Sequence, residues 1–116
     1  MDEKWYPALA EAAFPEDGKT ALVINGWHVL IAHDETGYHA VNDRCTHAAS
    51  PLSAGRIRRG TVMCLLHGAR FDLVSGRCLG GGHRSLRTFP LRIVDGMIEI
   101  SVPSVQPAMD EIPIQR

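Results

Sequence analysis

Two short segments carry the residues able to do chemistry. The first reads Cys45-Thr46-His47; sixteen residues later the second reads Cys64-Leu65-Leu66-His67. Each offers one thiolate sulfur and one imidazole nitrogen. Four such donors at this spacing point to a metal centre, and two centres suit them: a zinc ion or a cluster of two irons. Structural zinc knuckles usually pair like with like, C-x2-C with H-x3–5-H. Here each segment mixes the two types. A [2Fe–2S] centre with two thiolates on one iron and two imidazoles on the other uses such a mixture, each segment giving its cysteine to one iron and its histidine to the other. No nucleophile–base pair and no phosphate-binding loop is present in the sequence, so no catalytic residue is assigned.

Cys78 is the third cysteine. An odd count without a signal-peptide pattern argues against a disulfide framework. Cys78 is expected to be a half-buried small apolar side chain; zinc ligation together with Cys45 and Cys64 is the alternative.

A chain of 116 residues suits one domain with a modest core. A metal that ties two loops together would add to its stability. The formal net charge of −1 points to neither nucleic acid nor a membrane surface. No run approaches the roughly 18 apolar residues that span a bilayer. The start, Met1-Asp2-Glu3-Lys4, has no signal-peptide character. A cytoplasmic monomer is expected.

Charge is unevenly placed. Arg44, Arg56, Arg58, Arg59, Arg70, Arg77, Arg84, Arg87 and Arg92 face a single acid, Asp72, in the span 44–92. Such a run reads either as a solvated face or as a surface that steers the protein toward an acidic partner.

The elements that must position the four donors read as short strands. Lys4-Trp5-Tyr6 starts an edge strand; Ala8 to Phe14 suggests one helical turn, stopped at Pro15. Thr20–Ile24, Trp27–His33 and Tyr38–Asn42 form a meander joined at Asn25-Gly26 and Asp34–Gly37, and it delivers the chain to Cys45. Short strands follow at Arg56–Arg58 and Thr61–Met63, turning at Arg59-Gly60, and the second segment leaves as a strand over Gly68–Asp72. Ser75-Gly76 is a turn and Gly80-Gly81-Gly82 a flexible stretch. Thr88–Val94 and the alternating Ile98, Ile100 and Val102 pair across Asp95-Gly96. This is an all-β domain, a sandwich or barrel-like base. Residues 1–102 make the domain, with about 44–85 as an inserted lobe; 103–116, with three prolines, reads as a loosely ordered tail. His28, His33 and His39 lie on strands and read as framework.

The chain resembles the Rieske family, and within it the small ferredoxins of bacterial aromatic-ring dioxygenase systems. The resemblance is carried by Tyr38-His39-Ala40-Val41-Asn42-Asp43-Arg44-Cys45-Thr46-His47, Leu52-Ser53-Ala54-Gly55, Cys64-Leu65-Leu66-His67-Gly68-Ala69-Arg70-Phe71-Asp72 and Thr88-Phe89-Pro90. It implies the Rieske fold, an antiparallel β base with a small cluster-binding lobe. By position, Cys45 and Cys64 bind the inner iron of a Rieske-type [2Fe-2S] cluster, and His47 and His67 the outer one. It further implies a one-electron carrier between a flavin-containing NAD(P)H ferredoxin reductase and a terminal oxygenase, through transient complexes. Leu65, Leu66 and Ala48 would form an apolar rim. At 116 residues the chain leaves no room for the second, mononuclear-iron domain of an oxygenase.

Departures from the family pattern refine this. No spare cysteine stands in either segment, and Ala69 and Phe71 occupy the places where high-potential members carry serine and tyrosine donors. A potential at the low end, near about −150 mV, is expected. Gly80-Gly81-Gly82-His83 replaces a proline-containing loop and is expected to be more mobile, with His83 an exposed loop histidine. The rival readings are the small Rieske-like subunit of an assimilatory nitrite reductase and a structural zinc module.

Overall fold

The computed structural model describes residues 4–46, 49–66 and 68–114. Among the described residues, nine strands form three antiparallel three-stranded sheets. β2 (Lys19–Ile24), β3 (Trp27–Asp34) and β4 (Gly37–Asn42) are the expected meander. β1 (Trp5–Ala10), β9 (Met97–Ser101) and β8 (Leu91–Val94) make the second sheet, with β9 in the middle. β5 (Arg56–Arg58), β6 (Thr61–Met63) and β7 (Arg70–Asp72) make the third. Asn25-Gly26, Arg59-Gly60 and Asp95-Gly96 each hold two successive positive φ angles, as a two-residue turn matched to strand twist requires.

The meander is the middle layer because β3 is apolar on both faces. Trp27, Val29 and Ile31 enter one buried cluster with Ile98, Ile100 and Phe89 of the β1–β9–β8 side. Leu30 and Ala32, the alternate residues, enter another with Val62, Phe71 and Leu52. Period-two geometry assigns successive side chains to opposite faces. Burying each large aliphatic side chain contributes on the order of 2 kcal/mol, so both outer sheets are fixed to the same strand.

Two expectations are corrected. The alanine-rich stretch Ala8–Phe14 does not make a helical turn throughout: β1 runs to Ala10, and only Glu11–Ala13 form a short 3-10 turn. Pairing with β9, and burial of Tyr6, Ala8 and Leu9 against the second cluster, override alanine's helix propensity. The register of this pair shifts between Pro7 and Leu9, as at a β-bulge. The segment after Val102 is not loosely ordered over its described part, as shown below. Among the described residues no helix is long and apolar enough to cross a membrane.

Candidate metal centre

The two cysteine-bearing loops repeat one backbone turn. Cys45 N–H donates to Ser50 O (2.9 Å), and Ala49 N–H donates back to Cys45 O (2.9 Å). Cys64 N–H donates to Ala69 O (2.8 Å), and Gly68 N–H donates back to Cys64 O (3.0 Å). The residue that closes each turn has positive φ, 60° at Ala49 and 74° at Gly68. β4 feeds the first loop, and the second is the connection between β6 and β7.

Both sulfurs lie inside. Cys45 is 0% and Cys64 1% exposed. They belong to one buried cluster, walled by Leu30, Val41, Val62 and Phe71. No disulfide involves any cysteine. Two sulfur donors sealed from water, on loops that repeat each other's turn, fit a binuclear iron centre gripped from two sides. His47 and His67, the expected imidazole donors, and Ala48 lie outside the described residues.

The chain's return from the first loop is pinned from below. Asp43, buried at the end of β4, accepts from Ser53 N–H and Ser53 Oγ, both at 2.7 Å. Gly55 follows, and a side chain there would overlap the carbonyl of Met63, the residue before Cys64. Lys19 Nζ of β2 donates to Gly55 O at 2.5 Å. The Leu52–Gly55 motif therefore holds the two loops' roots against each other.

Residues 103–114 form a strap that the sequence reading missed. Trp27 Nε1 donates to Val105 O (2.9 Å), anchoring its start to the meander. Asn42 Nδ2 donates to Glu111 O (3.0 Å), and Ile114 N–H donates to Ala49 O (2.8 Å), inside the first loop. Arg44 donates to the Asp110 carbonyl, Arg84 pairs with Asp110 (3.5 Å) and Arg87 with Glu111 (2.7 Å). Thr46 Oγ1, in the loop itself, donates to Arg84 O (2.7 Å). The available signal was two adjacent acids, Asp110-Glu111, in a chain whose ligand-bearing half is arginine-rich.

The rim and the remaining candidates are placed as follows. Leu65 and Leu66 stand 58% and 45% exposed at the tip of the second loop. Cys78 is half-buried against the sulfur-bearing cluster, its thiol 3.3 Å from Gly81 O. Gly80, Gly81 and Gly82 all have positive φ, and His83 after them is exposed. His33 stacks on Tyr38 at 3.9 Å, and His39 lies 2.8 Å from Thr36 Oγ1. Both are framework residues. Ala69 packs half-buried on the sulfur-bearing cluster and Phe71 is wholly inside it.

Two carboxylates tie turns at the ends of the strands away from the cysteine loops. Burial alone would raise the Asp34 carboxyl, but hydrogen bonds from Thr36 Oγ1, Gly60 N–H and Thr36 N–H, with His39 nearby, hold it below its ordinary value. The Gly60 bond, 2.5 Å, joins the β3–β4 turn to the β5–β6 turn. Asp72 is lowered chiefly by Ser75 N–H and then by Ser75 Oγ, at 2.7 and 2.8 Å.

Comparison with known proteins gives these patterns a context. The family model of the Rieske [2Fe-2S] domain matches residues 4–90. The ferredoxin component of a naphthalene 1,2-dioxygenase system from Pseudomonas aeruginosa is 31% identical over 94 residues, 80% of this chain and 90% of that one. The anthranilate 1,2-dioxygenase ferredoxin subunit of Burkholderia cepacia is 32% identical over 101 residues, 85% of this chain and 93% of that one. Among solved structures, a Mycobacterium tuberculosis protein described as an NADH-dependent nitrite reductase small subunit superposes with a TM-score of 0.79 at 22% identity, covering 90% of this chain and 100% of its own. At that identity the likeness concerns the fold alone.

Proposed function

The chain belongs to the Rieske [2Fe-2S] family, and on that premise we propose that it is a one-electron carrier serving a terminal oxygenase of the aromatic-ring dioxygenase kind. In this reading Cys45 and Cys64 ligate one iron, His47 and His67 the other, and residues 44–85 are the cluster-binding lobe of a domain spanning 1–102. The carrier is a cytoplasmic monomer, reduced by a flavin-containing NAD(P)H ferredoxin reductase. The observation that carries the proposal is the pair of buried sulfurs on matching loops, opening at a tip of exposed leucines. The two dioxygenase ferredoxins, similar over 90% and 93% of their own length, support the carrier role over a catalytic one.

When bound, the cluster supplies one reversibly held electron. The protein's own residues do the rest. Leu30, Val41, Val62 and Phe71 keep water from the sulfurs. The paired turns keep the loops' shape fixed, so little reorganisation accompanies a change of charge. Leu65 and Leu66 give a small apolar contact that needs no polar desolvation. Such a contact suits a brief encounter that buries well under 1,200 Å².

The test is direct. Purified protein should be brown, hold two irons and two sulfides per chain, and give a paramagnetic signal on dithionite reduction. It should restore substrate oxidation when mixed with the reductase and oxygenase of a naphthalene dioxygenase system lacking its own ferredoxin. His67→Ala should abolish colour and transfer together. A colourless protein with one zinc, or a brown one inert in every such mixture, refutes the reading.

A further inference from the structure

The nine arginines of the basic half divide into two groups. Arg44, Arg84 and Arg87 are held by the strap, and Arg92 by Glu99 at 2.7 Å. Among the described residues, Arg56, Arg58, Arg59, Arg70 and Arg77 have no acidic partner. Four of these five share one surface. Ile57, Val62 and Phe71 point from β5, β6 and β7 into the sulfur-bearing cluster. Alternation then sends Arg56, Arg58, Met63 and Arg70 outward. Register places Arg56, Met63 and Arg70 side by side on the rung next to the second loop. The next rung holds Arg58, Thr61 and Asp72. Asp72, the sheet's one acid, is occupied with Ser75. An open groove of about 500 Å³ lies among Arg56, Arg58, Arg59 and Arg70.

We propose that this outer face of the β5–β6–β7 sheet is a docking surface for the acidic surface of a redox-partner protein. The proposal rests on the carrier reading and names the chemistry of that carrier's partner. Arg56 and Arg70 flank Met63 from the two outer strands of the sheet, and Arg58 stands two residues along β5 from Arg56, so three cations share one small face and repel one another across short stretches of solvent. A carboxylate-bearing partner relieves that repulsion and can take the guanidinium forks in bidentate pairs. The rung beside Cys64 puts the charge at the edge of the Leu65–Leu66 tip. An apolar contact flanked by cations on one side fixes orientation as well as proximity. At physiological salt the Debye length is about 8 Å, so the face acts on surfaces already near contact.

The cluster-loaded full chain is tested with fluorescein-labelled decaglutamate at low salt, beside a decathymidylate oligonucleotide. Arg56→Glu and Arg70→Glu should each weaken decaglutamate binding about tenfold. Lys4→Glu, the same charge change at an exposed residue before β1, should shift it less than about twofold. Equal weakening by all three makes the effect one of net charge and overturns the proposal, as does tighter binding of the oligonucleotide than of the peptide. A dimer that Arg70→Glu dissolves would assign the face to a second copy and also overturn it. The second probe is ferricyanide, which takes one electron from the dithionite-reduced protein and becomes ferrocyanide. A net charge of −1 predicts a rate that rises with salt; the arginine face predicts one that falls, with the trend lost in Arg56→Glu. A rise in the unsubstituted protein overturns the proposal. The two readings fail separately: a chain without cluster defeats the carrier role, whereas a loaded chain indifferent to both arginine substitutions defeats only the docking face.

Discussion

Ala49 and Gly68 occupy equivalent places in the two loops: each lies four residues after its cysteine, donates its N–H to that cysteine's carbonyl at 2.9 and 3.0 Å, and has φ of 60° and 74°. An L-residue in this region costs about 1–2 kcal/mol, whereas glycine's extra chain entropy costs about 0.5–1 kcal/mol. Ala49→Gly should therefore stabilise slightly, by up to about 1 kcal/mol. Gly68→Ala meets no atom within 4 Å, so its loss of about 1 kcal/mol comes from backbone strain alone. Urea midpoints of the loaded protein check the pair; shifts of the same sign would contradict the equivalence.

Gly55 acts by size and not by conformation, since its φ is −88°. Gly55→Ala drives a methyl into the Met63 carbonyl, displacing the root of the second loop. A loss of about 2–4 kcal/mol is expected, with iron content falling well below that of the parent. Full retention of iron at unchanged stability would show that the two loop roots do not need this approach.

The strap should govern how long the cluster stays. A chain ending at Val102 loses the Trp27–Val105, Asn42–Glu111 and Ala49–Ile114 bonds together. Transfer of iron to a chelator, followed by loss of visible absorbance, should be at least several-fold faster. The Arg87–Glu111 pair is partly exposed, so its own coupling is about 0.5 kcal/mol or less. Arg87→Glu and Glu111→Arg should each speed release modestly, and the double exchange should restore part of the loss. Absence of any coupling would reduce the pair to a surface contact.

Asp34 gives an acid-side signature. Its folded pKa is depressed, so the stabilisation is present above the unfolded value near about 3.9 and is lost as pH falls through the folded value. Asp34→Asn should destabilise at pH 7 by about 1–2 kcal/mol through weaker bonds to Gly60 and Thr36. The gap between variant and parent should close as pH drops through about 4 and below. Denaturation midpoints measured across that range decide it; a gap that widens in acid would reverse the sign assigned here.

Ala69 brings no side-chain donor to the second loop, which is the basis for a midpoint near about −150 mV. Ala69→Ser should raise it, because a hydroxyl donor favours the more negative reduced state. Spectroelectrochemical titration reads both values. A parent midpoint above about +100 mV, or a downward shift on substitution, would contradict the donor argument.

Much of the framework was legible because its signals are local. β-Branched and apolar runs bounded by turn signals located β2, β3 and β4 to within a residue, and β5 and β6 at their observed bounds. The hairpin turns were visible as Asn25-Gly26, Arg59-Gly60 and Asp95-Gly96, where glycine supplies the second positive φ. The sulfur loops were legible through spacing, but not their repetition: Ala49 carries no letter that announces a left-handed residue. The strap was illegible for a different reason. Three of its contacts use main-chain carbonyls of Val105, Asp110 and Glu111, which no side-chain pattern encodes, with partners 66 to 78 positions away; its two ion pairs, with Arg84 and Arg87, left only the adjacent acids Asp110 and Glu111 as a trace. Ala8 and Ala10 misled because pairing with β9 is a long-range fact, whereas Ala12 and Ala13 do lie in the short 3-10 turn.

A strand with water on one side can trade residues there with little consequence elsewhere. β3 has no such outlet, since Leu30 and Ile31 press into different interiors from consecutive positions. A bulkier residue at Val29 would lean the whole ribbon toward the sulfurs, and a smaller one at Leu30 would let the far sheet sag inward. The end that handles electrons and the end remote from it are therefore tuned through the same eight residues, and neither can be redesigned while the other is held constant.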